Sequence, residues 1–171
     1  NIRAWFDLTN GVVGGTSGSV IDHNIVSAGG GWYRCSLTLN HDAAFEYYIG
    51  LSSADGSAGY AGDGSSSIYI QDAQLEAGLV ATDYIETGAS TAQSGILEDM
   101  PRLDYSGGAS CPALLLEPQR TNMLIQSEYF DGTGWSKNGG ITTTINTSAV
   151  QSPEGLYNAT LLTSANATSE Q

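Results

Sequence analysis

The stretch Trp32-Tyr33-Arg34-Cys35-Ser36-Leu37-Thr38-Leu39 carries the clearest structural signal in the chain. From Tyr33 to Leu39 the odd positions are apolar and the even positions are polar. Because successive side chains of a β-strand point to opposite faces, this alternation predicts a half-buried strand. Three glycines at 29–31 precede it and predict a turn. Free cysteine is among the most buried residue types, so Cys35 is expected inside the apolar face.

Similar short segments recur on both sides of this strand. They lie at 4–8, 19–26, 45–51 and 67–75, with a loop rich in Gly, Ser and Asp at 52–66. No apolar stripe of helical period persists for about twelve residues, so helices are not expected. Short strands joined by turns every ~8–12 residues predict an all-β fold of the sandwich or barrel type.

The pattern changes after Thr87, which divides the chain into three sections. Residues 1–87 are predicted to form a β-sandwich, 88–126 an irregular connector, and 127–171 the opening strands of a second or complementing sandwich. The chain begins without methionine and ends in the middle of a pattern, so we expect a window from a repeating array. In a variant of this arrangement, residues 127–171 supply strands to residues 1–87, in the same subunit or in a neighbour, and so cover exposed sheet edges.

Composition and charge exclude several classes of function. The 171 residues carry 5 Lys+Arg against 18 Asp+Glu, a formal charge of −13. Nucleic-acid phosphates and anionic lipids need clustered basic residues, so neither partner is expected. No apolar run approaches the ~18 residues of a membrane span, so membrane insertion is not expected either. Subunits this acidic should associate through backbone pairing, apolar or polar contacts, or bound cations, because basic surface is scarce.

The chain carries no recognisable catalytic or nucleotide-binding motif. No G-x-S-x-G, G-x-G-x-x-G or G-K-[ST] pattern occurs. The two histidines are His23, expected in the core beside Ile21 and Ile25, and His41, expected in a polar turn. The protein is therefore not expected to be an enzyme; a polysaccharide depolymerase would need a carboxylate pair in one groove.

The loop at 52–66 could hold a cation. Asp55 and Asp63 could chelate Ca²⁺ through their carboxylate oxygens, although the loop lacks the EF-hand spacing. A solvated loop without metal is the alternative. No other cofactor is expected.

Aromatic side chains are the candidates for binding sugars. Pyranose rings stack on exposed aromatic faces, and Tyr48, Tyr60 and Trp5 are predicted to serve this role. Sandwich interiors also bury large aromatics, so core packing is the alternative for Trp5 and the expectation for Trp32 and Trp135.

Two groups of motifs resemble the signatures of bacteriophage virion fibre proteins, and together they cover nearly the whole chain. The first group runs from Pro101-Arg102-Leu103-Asp104-Tyr105 through Ala113-Leu114-Leu115-Leu116-Glu117-Pro118-Gln119-Arg120-Thr121-Asn122-Met123-Leu124 to Ser127-Glu128 and Trp135. The second comprises Trp5-Phe6-Asp7-Leu8, Gly31-Trp32-Tyr33-Arg34-Cys35-Ser36, Ile68-Tyr69-Ile70, Ala73-Gln74-Leu75-Glu76 and Thr82-Asp83-Tyr84-Ile85-Glu86-Thr87. The family pattern has Gly where this chain has Ala113.

The resemblance implies a tail fibre, head fibre or head spike built from jelly-roll repeats similar to carbohydrate-binding modules. It implies a homo-oligomer, as a trimer or a strand-donating filament, located in the virion or outside the cell. Other virion proteins and host surface glycans are its implied partners. The expected fold is thus an all-β jelly roll or β-sandwich, with an irregular connector leading into a second sandwich.

The expected function is structural: a part of a phage tail or head fibre, or of a similar extracellular filament, that displays β-sandwich modules for host attachment. The alternative is a carbohydrate-binding module of a secreted bacterial enzyme or adhesin. Arg102 and Arg120 are predicted to make fixed ion pairs, with Asp104 and Glu117 as nearby acids, because arginine can bind a carboxylate bidentately.

Overall fold

The computed structural model describes residues 2–40, 47–57, 59–94, 103–104, 113–114, 120–137 and 140–164. Within these ranges the chain is all-β, with eleven strands and no helix, and hence no helix able to span a membrane. The strands are β1 (Arg3–Asp7), β2 (Val12–Ser17), β3 (Val20–Gly29), β4 (Trp32–Leu39), β5 (Ser67–Ile70), β6 (Ala92–Ser94), β7 (Leu103–Asp104), β8 (Ala113–Leu114), β9 (Arg120–Asn122), β10 (Thr142–Thr144) and β11 (Thr160–Thr163). They pair antiparallel in five small sheets.

Strands β3 and β4 form the longest hairpin, and the strand predicted at 32–39 is confirmed with the same bounds. Their register places His23 opposite Leu37 and Ile25 opposite Cys35. The turn between the strands consists of Gly30 and Gly31, whose φ angles are 61° and 86°. A two-residue type I′ turn needs positive φ at both central positions, and glycine adopts it without steric penalty.

Among the described residues, the apolar face of this hairpin is covered at His23. The β1–β2 hairpin packs there: the Phe6 ring lies 6.3 Å from the His23 ring, and His23 Nε2 is 3.0 Å from the Gly14 carbonyl oxygen. On the same face Leu37, which lies opposite His23, is 39% exposed, and Cys35, two residues before it in β4, is exposed. The prediction that Cys35 is buried is therefore wrong, because the strand alternates as expected but no described segment covers this part of its face.

A three-stranded sheet joins distant parts of the chain. In it β11 pairs with β5, with Leu162 opposite Ile68, and β10 pairs with the other edge of β11. A strand from the section predicted at 127–171 thus pairs with one from the section at 1–87, within a single chain. The section boundaries at 87 and 126 stay predictions.

Two expectations drawn from alternation differ from the structure. The strand predicted at 45–51 is wrong over residues 47–51, which are irregular, while 41–46 lie outside the described residues. The strand predicted at 67–75 stops at Ile70, and the chain turns at Asp72, whose φ is 58°. Alternation alone does not make a strand, because its hydrogen-bonding groups also need a partner strand.

The predicted irregular connector contains paired strands. Strand β6 pairs with β9, and β7 pairs with β8. Few side chains are buried among the described residues, and more of them are polar than hydrophobic. The buried hydrophobic side chains are Ile85, Phe130, Ala159 and Leu162, and the buried polar ones are Thr87, Asn122, Ser127, Ser152, Thr160 and Ser164.

Candidate functional site

Asn122 and Ser127 are polar side chains that are 0% exposed. They lie where residues 73–87 meet residues 120–128, a contact that we name the polar clasp. Backbone hydrogen bonds join the two segments, from Met123 N to the Leu75 carbonyl (2.7 Å) and from Ala73 N to the Ser127 carbonyl (3.0 Å). The clasp brings residues from the two groups of sequence motifs into direct contact.

Asn122 is the centre of the clasp and is 0% exposed. Its Oδ1 accepts hydrogen bonds from Leu75 N and Leu124 N, both at 3.1 Å. Its Nδ2 donates to the carbonyls of Ala73 (3.2 Å) and Ile85 (2.8 Å). An asparagine amide has two donors and two acceptor lone pairs, so every hydrogen-bonding position of this side chain is occupied.

Thr87 and Ser127 form the second layer of the clasp through reciprocal bonds. Thr87 N donates to Ser127 Oγ (2.9 Å), and Ser127 N donates to Thr87 Oγ1 (3.1 Å). Thr87 Oγ1 in turn donates to the Leu124 carbonyl at 2.7 Å, and the Tyr84 hydroxyl also hydrogen-bonds to Ser127 Oγ. Burial, with help from neighbouring carboxylates, raises the pKa of Tyr84, so its hydroxyl keeps its proton.

Gln74 and Glu76 form hydrogen bonds within residues 73–87, so that this segment turns back on itself. Gln74 Oε1 accepts from Ile85 N at 2.8 Å, and both Glu76 oxygens accept from Thr82, one from its backbone N–H and one from its hydroxyl. Burial alone would raise the pKa of Glu76, but the Thr82 hydrogen bonds and the Arg120 charge outweigh it and hold that pKa below its usual value. These contacts are structural, because they satisfy the backbone N–H groups of Thr82 and Ile85 and the Thr82 hydroxyl.

Arg120 lies near Glu76, and its Nε is buried without a hydrogen-bond partner among the described residues. Its predicted partner Glu117 lies outside those residues, as does Arg102, and of Asp104 only the backbone is described. The predicted ion pairs therefore stay predictions.

Trp135 closes the end of the clasp. Its ring centroid is 4.7 Å from that of Phe130, which is 3% exposed, and its Nε1 donates to the Gln126 carbonyl at 3.0 Å. The Gln126 side chain accepts from Gly134 N at 2.8 Å. Trp135 thus lies in a packed, structural position.

Four carboxylates, of Asp72, Glu86, Glu128 and Glu154, gather beside the clasp. Burial, followed by the repulsion of its acidic neighbours, raises the pKa values of Asp72 and of Glu128. Asp72 Oδ1 is also buried without a hydrogen-bond partner in the described part of the chain. The negative charge here opposes folding, because desolvation and like charge both disfavour the ionised form.

The Asp72→Asn variant should therefore be more stable than the parent chain at neutral pH. Folding raises the pKa of the Asp72 carboxyl. Below the pKa that this carboxyl has in the unfolded chain, the protonated group contributes to stability. That contribution is lost as the pH rises through the pKa that the carboxyl has in the folded chain. The neutral amide avoids this loss, and asparagine tolerates positive φ. Melting temperatures should differ at neutral pH and converge below about pH 4. An equal gain for the control Asp22→Asn, an exposed carboxylate in β3, would contradict this account.

An open groove of about 180 Å³ lies between the β3–β4 turn and β5. Its aromatic walls are Trp32, Tyr33 and Tyr69, and the other lining residues are Leu8, Gly30, Gly31, Ile68 and Val150. Trp32 is half-buried, and its Nε1 donates to the Gln151 carbonyl at 2.8 Å, which holds the ring in place. The groove is smaller than the pockets of ~300–1,000 Å³ that hold drug-sized ligands.

The predicted sugar-binding residues lie elsewhere. Tyr48 is 70% exposed, while Tyr60 and Trp5 are half-buried. The indole Nε1 of Trp5 donates to the Ser57 carbonyl at 2.9 Å. None of the three lines the groove. Sequence reasoning assigned Trp32 to the core, and the signal that could have placed it in a groove is the glycine turn directly before it.

The two carboxylates predicted to bind calcium accept hydrogen bonds in this structure, and their role as ligands stays a prediction. Asp55 Oδ1 accepts from Gly15 N at 2.6 Å. Asp63 accepts from the backbone N–H groups of Ser65 and Ser66 and from the Ser66 hydroxyl, and these bonds lower its pKa. Among the residues that the structure describes, no group of three or more His, Cys, Asp or Glu could hold a metal ion.

Comparison with known proteins adds no family to these observations. No protein-family model, no curated protein and no solved structure matches the chain.

Proposed function

We propose that this chain is a structural component of an extracellular appendage of the bacteriophage-fibre type, which displays β-sandwich modules for attachment to a host surface. The observation that carries the proposal is the polar clasp, where the two groups of fibre-like motifs meet. Gln74, Tyr84 and Thr87 come from one group, Asn122 and Ser127 from the other. Their polar atoms form hydrogen bonds with each other and with backbone groups, as expected of motifs that stabilise the fold and do not bind a ligand.

The finer fold in this proposal is a jelly-roll sandwich. Its support is the pairing of β5 with β11, which are separated by about ninety residues. Jelly rolls and Greek keys bring such distant strands side by side through long connections. The small antiparallel sheets of the described residues supply the other strands of the proposed module.

Attachment in this proposal uses the aromatic groove at Trp32, Tyr33 and Tyr69. One face of a sugar ring carries C–H groups that pack on an aromatic ring, and the groove has the size of one such ring. A site this small binds weakly. Repetition along a fibre converts weak binding into firm attachment, because further contacts of a tethered array become intramolecular.

Glycan binding of a multivalent form of the chain tests this proposal. We expect binding to at least one glycan on an array, and a loss of at least about tenfold in Trp32→Ala and in Tyr69→Ala because each variant removes an aromatic wall. Tyr48→Ala and Tyr60→Ala, outside the groove, are the matched controls and should bind as the parent chain does.

Melting curves of all four variants must show that each is folded. Failure of the folded parent chain to bind any glycan would contradict the attachment role. Loss of binding only in Tyr48→Ala or Tyr60→Ala would move the site back to the residues predicted from the sequence.

The same groove also favours a second candidate, a carbohydrate-binding module of a secreted bacterial enzyme or adhesin. Gene neighbours separate the two candidates. Capsid or tail genes beside this reading frame support the fibre, whereas a hydrolase domain in the same frame supports the binding module.

A further inference from the structure

The turn between β1 and β2, residues 8–11, reaches the aromatic groove at two positions. Leu8 is one of the residues that line the groove, and it is 41% exposed. Gly11 does not line the groove but lies against the ring of Tyr33, which is one of its aromatic walls. The turn is therefore in contact with a wall that the proposed function uses.

The contact between Gly11 and Tyr33 leaves no room for a side chain at position 11. A β-carbon there would lie 2.6 Å from Tyr33 Cε1 and 2.9 Å from both Cζ and the hydroxyl oxygen. Non-bonded carbon atoms are at their optimum about 3.5–4.0 Å apart, so the ring could not keep its position. Gly11 also has a φ of 66°, which glycine adopts without steric cost.

Asp7 holds the turn in this conformation. Its Oδ1 accepts hydrogen bonds from the backbone N–H groups of Thr9 (2.9 Å) and Asn10 (3.1 Å), and its Oδ2 accepts one from Asn10 Nδ2 (2.6 Å). The Gly11 N–H donates to the Asp7 carbonyl at 2.9 Å. Aspartate commonly bonds the backbone just after it in this way and so fixes turns. The place of Gly11 beside Tyr33 is thus set by hydrogen bonds within the turn itself.

We infer that Gly11 is a positioning residue of the groove, which by lacking a side chain sets where the Tyr33 wall stands. A methyl group at position 11 would displace the end of the Tyr33 side chain, because that end moves by rotation about its single bonds while Asp7 holds the backbone of the turn. The inference deepens the proposed function, on which it rests for the role of the groove in binding sugars. The effect of Gly11 on the Tyr33 ring itself is measured without any sugar.

NMR of the Gly11→Ala variant tests this effect. In the parent chain we expect a nuclear Overhauser effect between the α protons of Gly11 and the ring protons of Tyr33, and in the variant the Tyr33 ring signals should shift. Gly56→Ala is the matched control, because Gly56 has a φ of 73° and a β-carbon there would meet nothing within 4 Å. Both variants strain the backbone in the same way, so the contact with Tyr33 is what separates them.

Binding of the multivalent form to the same glycan array is the second measurement. Gly11→Ala and Tyr33→Ala should each reduce binding at least about fivefold, and the double variant should bind no more weakly than Tyr33→Ala alone, because Gly11 acts through Tyr33. A purely structural role of Gly11 would instead add its own loss to that of Tyr33→Ala. Gly56→Ala should bind as the parent chain does.

Asp7→Ala is the second variant, in case Gly11→Ala does not fold. It adds no atom beside the ring but frees the N–H groups of Thr9 and Asn10, so the Overhauser effect between Gly11 and Tyr33 should weaken.

Unchanged Tyr33 signals in a folded Gly11→Ala chain would overturn the inference, and so would additive losses of binding in the double variant. An Overhauser effect that persists at full strength in Asp7→Ala would overturn it as well. Full binding by Gly11→Ala, where the parent chain binds, counts against this inference alone. Failure of the parent chain to bind any glycan counts against the proposed function alone, since the NMR measurement still decides how Gly11 acts on Tyr33.

Discussion

Replacing Asn122 with alanine should lower the free energy of unfolding by about 4 kcal/mol. The variant leaves the N–H groups of Leu75 and Leu124 and the carbonyls of Ala73 and Ile85 without partners at a site that is 0% exposed. Each unsatisfied buried group costs roughly 1–3 kcal/mol, and local relaxation offsets part of the sum. Domains are stable by only ~5–15 kcal/mol, so this loss takes a large share.

Urea unfolding followed by tryptophan fluorescence measures this change. The control is Asn24→Ala, because exposed Asn24 accepts a single hydrogen bond, from Ile25 N. It should change the free energy of unfolding by no more than about 0.5 kcal/mol.

The Asn122→Asp variant keeps the acceptor oxygen but buries a charge, so it should lose more stability at neutral than at acid pH. Equal midpoints for Asn122→Ala and the parent chain would show that the clasp does not hold the fold.

The Phe130→Ala variant should lose about 3–5 kcal/mol. Phe130 is 3% exposed and packs on Trp135, and truncation leaves a cavity that the surrounding chain fills only in part. The Trp135 ring should then become mobile, so its fluorescence should report the change directly. Tyr129→Ala is the matched control, because Tyr129 is the adjacent aromatic residue and is 49% exposed.

Phe130→Leu separates packing from the aromatic ring itself. It keeps most of the apolar volume and should lose about half as much stability as the alanine variant. If Phe130→Ala unfolds at the same urea concentration as Tyr129→Ala, the packing of Phe130 on Trp135 contributes nothing measurable.

Local patterns predicted the hairpins well, because turns and alternation are local properties. The glycines at 29–31 and the alternation from Tyr33 to Leu39 place β4 with its observed bounds. The same reasoning failed at Cys35, since a residue's preference for burial says nothing about whether a second layer covers its face. It also failed over 47–51, which alternate in sequence but do not belong to a strand in the structure.

The clasp lay beyond such reasoning for a different physical reason. Asn122 binds backbone groups that lie 37 to 49 residues away, and no local period connects such positions. The groove at Trp32 and Tyr69 likewise depends on how the β3–β4 turn sits against β5. Asn122 and Thr87 lie in the motifs that resemble fibre proteins, but the resemblance does not predict that residues 73–87 contact residues 120–128.

Hydrogen exchange at the amides of Leu75 and Leu124 tests the central claim, that the polar clasp holds this module together. Both amides donate to Asn122 Oδ1, and neither lies in a strand. If the clasp holds the module together, these two amides should exchange as slowly as the amides of the paired strands β5 and β11, through global unfolding alone. Exchange as fast as that of Leu79 and Val80, which are each 76% exposed, would contradict the claim.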